Sequence, residues 1–338
     1  MTDETPETSR SLTAALTEAA TAAGYAPSVH NTQPWRWRVQ PDGLELYAVR
    51  DRQLAVTDPD GRLLAVSCGT GLHHARVALA AQGWAARVTR LPDPADPDLL
   101  ARIVVTGPSA PTSDAVELAA CLRERHTDRR PVSTEPVPTR SLDAIRKAVA
   151  DEDLQLHILG ANQVYELAAA ASRAAEVEAK DPVFQQELQY WTTRTGPAGT
   201  GLPAEVLPAH AAETTVPGRD FGREGTLPVG PGHDRAAAYG LLYGDEDEPK
   251  NWLRAGEALS AAWLTATRLG VSVVPLSAVV EVVSTRHTLR RLLADLGYPY
   301  LALRLGIADP AQPAPPHTPR MPVTQVVDTS AVPTAGTQ

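Results

Sequence analysis

The sequence predicts an α+β fold built from two tandem half-repeats, and three observations lead to it. Ala- and Leu-rich helical stretches alternate with short apolar runs of strand type. The order of elements recurs after residue 113. Two glycine-bounded helices also match position by position: Gly69, Leu72, Ala75 and Gly83 in the first half stand at the offsets of Gly256, Leu259, Ala262 and Gly270 in the second. Chance similarity between Ala-rich helices could explain the last match alone; recurrence of whole elements favours duplication. The halves are expected over residues 10–112 and 113–328.

Each element has its own signal. Ser11–Ala23 is Ala/Leu-rich and helical, closed by Gly24. Strands are expected at Trp35–Val39, with Trp35 and Trp37 facing a core, and at Leu44–Val49, around the turn Pro41-Asp42-Gly43. A helix over about Gly69–Gln82 stops at Gly83, and Ala101–Thr106 alternates as a strand. Proline-rich stretches at Leu91–Asp98 and Gly107–Thr112 read as linkers. The second half has a helix from Ser113 to about Arg125, a basic turn at Arg125–Pro131, a helix at Ser141–Ala150 and a strand at Leu154–Leu159. Helices at about Ala161–Lys180 and Pro182–Thr192, a helix at Gly256–Leu269 and a strand at Tyr300–Gly306 follow. Thr195–Ala238 differs in kind, with much glycine and proline and few apolar anchors. Loops this long are usually functional covers or disordered. With Tyr239–Tyr243 it is expected to form a cover at about 195–243.

Composition excludes several classes. The chain has 338 residues, 43% hydrophobic and 21% charged, as soluble globular proteins do. A net charge of −9 argues against general nucleic-acid binding, which needs clustered basic residues. Two cysteines, Cys68 and Cys121, support neither a disulfide framework nor a Cys-based zinc site, which fits a reducing cytoplasm. Met1–Arg10 is acidic and polar, unlike a signal peptide, and no apolar run approaches a membrane span. Gly69-Thr70-Gly71 lacks the third glycine and the downstream acid of a dinucleotide fingerprint. His73 and His74 are adjacent and point to different helix faces, so they cannot chelate as an i, i+4 pair would. The acidic run Asp245–Glu248 reads as a solvated loop.

Two constellations carry chemistry. In Pro27-Ser28-Val29-His30-Asn31-Thr32-Gln33-Pro34-Trp35 the prolines stiffen both ends, and Ser28, Asn31 and Gln33 offer neutral polar groups. Such a loop suits a flat, uncharged polar ring; the plain alternative is a capped helix end leading into a strand. The second is cationic. Arg125, His126, Thr127 and Arg129 lie within one turn, and Arg320 stands far downstream in Thr318-Pro319-Arg320-Met321-Pro322. If they converge, they offer charge-assisted hydrogen bonds to an anion; the alternative is surface pairing with Glu124 and Asp128.

Together the P-S-x-x-N-x-Q-P-W loop and the R-H-T-x-R turn resemble the FMN-dependent nitroreductase superfamily. With the proline-rich Thr-Pro-Arg end, the chain is similar to its Acg branch over roughly residues 10–328. The resemblance implies a nitroreductase-like α+β fold, in which paired subunits build the flavin site between them. Here the first half has the polar loop and the second the basic turn, which implies an intrachain pseudo-dimer with one FMN per chain, able to act as a monomer. It implies that Arg125, Thr127 and Arg320, with His126 beside them, hold the phosphate and ribityl end. It places Arg129 near the N1/O2 edge of the flavin. It assigns ring and ribityl contacts to Pro27, Ser28, Asn31 and Gln33, and backbone contacts to Pro275, Leu276 and Ser277. His126 and Thr127 replace the commoner Arg and Ser. The implied activity is hydride transfer from NAD(P)H to flavin and on to a nitroaromatic or quinone acceptor, with no catalytic side chain required. Two readings compete: a flavin-sequestering protein whose cover blocks nicotinamide, and a flavin-free interaction protein.

Overall fold

The structure, a computed structural model, describes residues 6–194, 199–230 and 232–332. The first residues of the expected cover, 195–198, and Pro231 lie outside these, as do Met1–Thr5. The first half runs α1 (Pro6–Ala23), β1 (Trp35–Gln40), β2 (Gly43–Ala48), α2 (Arg62–Ala81), β3 (Trp84–Arg90) and β4 (Leu99–Pro108), followed by α3 (Ser113–Glu124). The second runs α4 (Thr139–Ala150), β5 (Gln155–Ile158), α5 (Ala161–Lys180), α6 (Pro182–Thr193), β6 (Ala238–Gly244), α7 (Pro249–Arg268) and β7 (Val271–Leu276). It continues through α8 (Ala278–Glu281), α9 (Val283–Leu292) and β8 (Tyr298–Ile307), and α10 (Val323–Val326) and β9 (Val327–Asp328) close the described chain.

The two sheets share one strand order. The first has the strand order β3-β4-β2-β1-β9 and the second β5-β6-β8-β7. Reversed, the second reads β7-β8-β6-β5, the first four strands of the other sheet in the same order. All the pairings within these four-strand units are antiparallel. Each sheet has its own apolar core, one around Trp35, Trp37, Leu46 and Leu72, the other around Leu156, Leu241, Trp263 and Leu303. The halves meet where α2 crosses α7, and the contact is reciprocal. A Cβ on Gly69 would lie 1.9 Å from the Leu253 carbonyl oxygen, and one on Gly256 would lie 1.9 Å from that of Val66. Only glycine lets the two backbones approach this closely.

Several expected bounds move. Leu63–Val66 begins α2 rather than preceding it, so Gly69-Thr70-Gly71 lies inside a helix. The second glycine-bounded helix likewise starts at Pro249 rather than Gly256. Tyr239–Tyr243 belongs to β6, an inner strand of the second sheet, rather than to the cover. Asp247, from the acidic run, bonds Arg62 and the Trp252 indole N–H. The first half joins β1 to β2 by a tight turn; the second inserts α5, α6 and residues 194–237 at the equivalent place. The chain end then crosses back, β9 pairing in parallel with β1.

Candidate functional site

A cavity of about 770 Å³ opens where the halves meet. Its floor includes Ser67 and Thr70 of α2 and Leu259 and Trp263 of α7; the loop at Pro27–Asn31, the turn at Arg125–Arg129, the strap around Arg320 and the cover complete the walls. Of the residues expected at the site, Pro27, Ser28, Asn31, Arg125, His126, Thr127, Arg129, Pro275, Leu276, Ser277 and Arg320 line it. Gln33 does not.

The polar loop is held in an unusual backbone shape, with His30, Asn31 and Gln33 at φ of 45°, 56° and 48°. Few side chains tolerate this left-handed region, and asparagine is among the better ones. Ser28 Oγ accepts the Gln33 backbone N–H at 2.9 Å and fixes the curl. Asn31 Nδ2 donates to the carbonyls of Gly201, at 3.1 Å, and Pro319, at 2.9 Å, while its Oδ1 accepts from Arg320. Gln33 Nε2 donates to the Gly199 carbonyl at 2.6 Å, and its Oε1 accepts the Met321 N–H at 3.0 Å. The motif is therefore a clasp joining body, cover and strap. The amides of Asn31 and Gln33, expected to face a ligand, are already engaged by protein.

The cations converge. Arg125 and Arg320 both donate through Nη2 to one carbonyl oxygen, that of Tyr25, at 3.3 and 3.1 Å. The Arg125 guanidinium lies 4.6 Å from the Trp263 ring centroid, a cation–π contact. Arg129 donates to the Val206 carbonyl at 3.3 Å and lies 5.3 Å from the Phe221 ring centroid. Among the described residues none of the three bonds a carboxylate; Asp128, the alternative partner, pairs with Arg130 at 2.7 Å. Arg125 Nε and Arg320 Nε are buried without any hydrogen-bond partner. Burial and the neighbouring Arg320 push Arg125 down to about 9, and burial pushes Arg320 down to about 10. Arg304 braces the turn from behind, donating to the carbonyls of Asp128 and Arg130 and pairing with Asp234 at 2.7 Å.

Sequence reasoning missed a cluster contributed by the cover. Arg219, almost fully buried, donates to Glu178 of α5 at 3.0 Å, to Glu281 of α8, and to Nε2 of His30 at 3.1 Å. A guanidinium cannot accept, so His30 Nε2 is the acceptor and its neutral ring carries the proton on Nδ1. Burial, with Arg219 and Arg129 nearby, holds His30 well below the usual imidazole range. No local pattern marks this cluster, because its members lie 41, 62 and 189 residues from Arg219.

The face related to the cavity by duplication is filled. Applying the offset of the paired glycines, Thr70 corresponds to Glu257 and Trp263 to Arg76. Glu257, fully buried, accepts from Arg76 at 2.8 Å and from Arg90 at 2.6 and 3.0 Å, and Glu152 accepts from Arg76 at 2.7 Å. Here each cation has its carboxylate.

No protein-family model matches the chain. Among curated proteins it is 41% identical over 316 residues to "Putative NAD(P)H nitroreductase Rv3131" of Mycobacterium tuberculosis, covering 91% of this chain and 89% of that one. It is 33% identical over 314 residues to "Putative NAD(P)H nitroreductase acg" of the same organism, covering 92% and 94%. Among solved structures, the FMN and NADPH-dependent nitroreductase NfnB of a Sphigopyxis strain aligns with 62% of this chain and 97% of its own at 15% identity and a TM-score of 0.40. The two mycobacterial relatives, matched over nearly their whole lengths, carry the family that the paired motifs resemble: the chain belongs to the nitroreductase family, in its Acg branch.

Proposed function

We propose that the cavity between the halves holds one FMN per chain and that the protein is an FMN-dependent NAD(P)H oxidoreductase. The observation that carries the reading is the meeting of Arg125, which lies over Trp263, with Arg320 at the Tyr25 carbonyl, with no carboxylate bonded to either among the described residues and two buried Nε atoms unpartnered. A phosphate would satisfy those donors, each bond to a charged group being worth about 1.5–3 kcal/mol. The volume also suits a cofactor of this size. Arg125, Arg320 and Thr127 would hold the phosphate and ribityl end, with Arg129 at the ring, where a cation favours negative charge. Pro275, Leu276 and Ser277 would offer the end of an edge strand to the ring margin. Gln33 and Asn31 would act through the clasp, keeping the strap that carries Arg320 in place. FMN bound here would supply two-electron chemistry, accepting hydride from NAD(P)H and reducing a nitroaromatic or quinone.

A second reading, a protein that sequesters FMN, draws on the same clasp: the cover is tied to the cavity rim through Asn31, Gln33 and Arg219. One assay separates them. Purified yellow protein is mixed anaerobically with NADPH or NADH, then with menadione or nitrofurazone. Bleaching followed by acceptor turnover supports the oxidoreductase, and an unchanged flavin spectrum supports sequestration. A colourless protein unable to take up FMN overturns both.

A further inference from the structure

The Glu178–Arg219–Glu281 cluster stands between two spaces. Glu178 lines the large cavity. Glu281 lines a separate pocket of about 90 Å³, large enough to admit water. That pocket's rim includes Pro59, Asp60 and Val283, which are exposed to solvent. The two carboxylates meet on a single atom, Arg219 Nη2. One guanidinium facing two buried carboxylates leaves a surplus negative charge, which low dielectric makes costly. Glu281 Oε1 is moreover buried with no hydrogen-bond partner. The two carboxyls also lie within hydrogen-bond reach of each other, and a proton shared between them removes the surplus charge.

We propose that Glu281 and Glu178, joined through Arg219 of the cover, form a relay that carries protons from the surface pocket into the covered cavity. The inference rests on the oxidoreductase reading. Reducing a quinone to a hydroquinone takes two electrons and two protons. NAD(P)H provides both electrons and one proton as hydride, leaving NAD(P)⁺, so one further proton must arrive. In this step the carboxyl O–H bond of Glu178 breaks and an O–H bond forms on the product. Glu178 regains a proton from Glu281, and Glu281 from solvent through the small pocket.

The surroundings suit the task. Burial and Glu281 raise the Glu178 carboxyl to about 7, so it can give and regain a proton near neutrality. Asp58, on the wall of the small pocket, is raised to about 6, chiefly by burial and in part by Glu281. The other charged groups facing that pocket are Asp60, Arg62 and Arg286, while His30 faces Arg219 on the cavity side.

The test uses the full chain and Glu281→Gln, Glu178→Gln and Glu281→Asp. In the cofactor-free protein, infrared spectra should show a protonated glutamate carbonyl band at neutral pH that titrates near pH 7 and vanishes in Glu178→Gln. In FMN-loaded protein, Glu281→Gln should slow menadione reduction by about 10²-fold, the lower range for general acid catalysis. It should slow anaerobic bleaching by NADPH far less. The parental acceptor rate should fall as pH rises through 7, and Glu281→Asp should recover part of the loss. Absence of the band from the parent, or its persistence in Glu178→Gln, overturns the relay. So does parental acceptor turnover in Glu281→Gln despite normal bleaching, which leaves the oxidoreductase reading intact. Failure of the parent to bleach at all removes that reading and the relay with it.

Discussion

The two faces of the α2–α7 crossing share one backbone plan and differ in how their charges are settled. On one face Thr70 and Trp263 leave open space, and Arg125 and Arg320 converge on it without a carboxylate among the described residues. On the other, Glu257 and Glu152 take up Arg76 and Arg90 completely. The backbone does not decide which face can hold an anionic ligand. The balance of fixed charge does, because a buried cation must find a counter-charge within the protein or from outside it.

That contrast can be broken from either side. The largest effect is expected from Glu257→Ala, which strands Arg76 and Arg90: about 3 kcal/mol of stability lost in chemical denaturation, since removing one partner of a buried pair costs far more than the pair contributes. A loss under ~0.5 kcal/mol would mean the filled face is not held by its ions. Next come Gly69→Ala and Gly256→Ala, each forcing a Cβ into the facing carbonyl. Each should cost about 1–3 kcal/mol, as overpacking does, and the two losses should be similar. Unequal losses would break the symmetry argued for the crossing.

On the open face, Arg125→Ala or Arg320→Ala should weaken FMN binding by about 10- to 100-fold, the loss of one charge-assisted bond. Folding stability should change little, because each substitution also relieves repulsion between the two cations. Equal FMN retention in mutant and parent would contradict the assignment. Last comes Glu178→Gln, which is read in pH rather than at one condition. With a folded pKa of about 7 against an ordinary 4.5, the folded chain holds a proton that the unfolded chain releases. The stabilisation from this group is full below pH ~4.5 and is lost as pH rises to about 7. Urea denaturation across that window should show a shallower decline in the variant.

Much of this was legible in the residues, for identifiable reasons. The matched glycines mark the crossing because only glycine permits two helical backbones in contact, so the constraint is written at single positions. The loop and the basic turn are short local motifs, and the structure brings both to one cavity. Other features were hidden. The start of α2 was obscured because Leu63–Val66 is apolar throughout and carries no period. The strand β7 was obscured by Pro275, which is tolerated because β7 is an edge. Gln33 sits in the polar motif yet does not line the cavity, its amide being taken by the Gly199 carbonyl and the Met321 N–H, since sequence shows that a side chain is polar and not which backbone groups will claim it. Arg219, Glu178 and Glu281 were invisible for a related reason: their meeting depends on where the cover docks.

The most direct test is to titrate the cofactor-free chain with FMN in a calorimeter, beside an Arg125→Ala/Arg320→Ala double variant that remains folded. Saturation at one FMN per chain, with binding lost in the variant, is the predicted result. Saturation at two per chain, no binding by the parent, or unchanged affinity in the variant would contradict it.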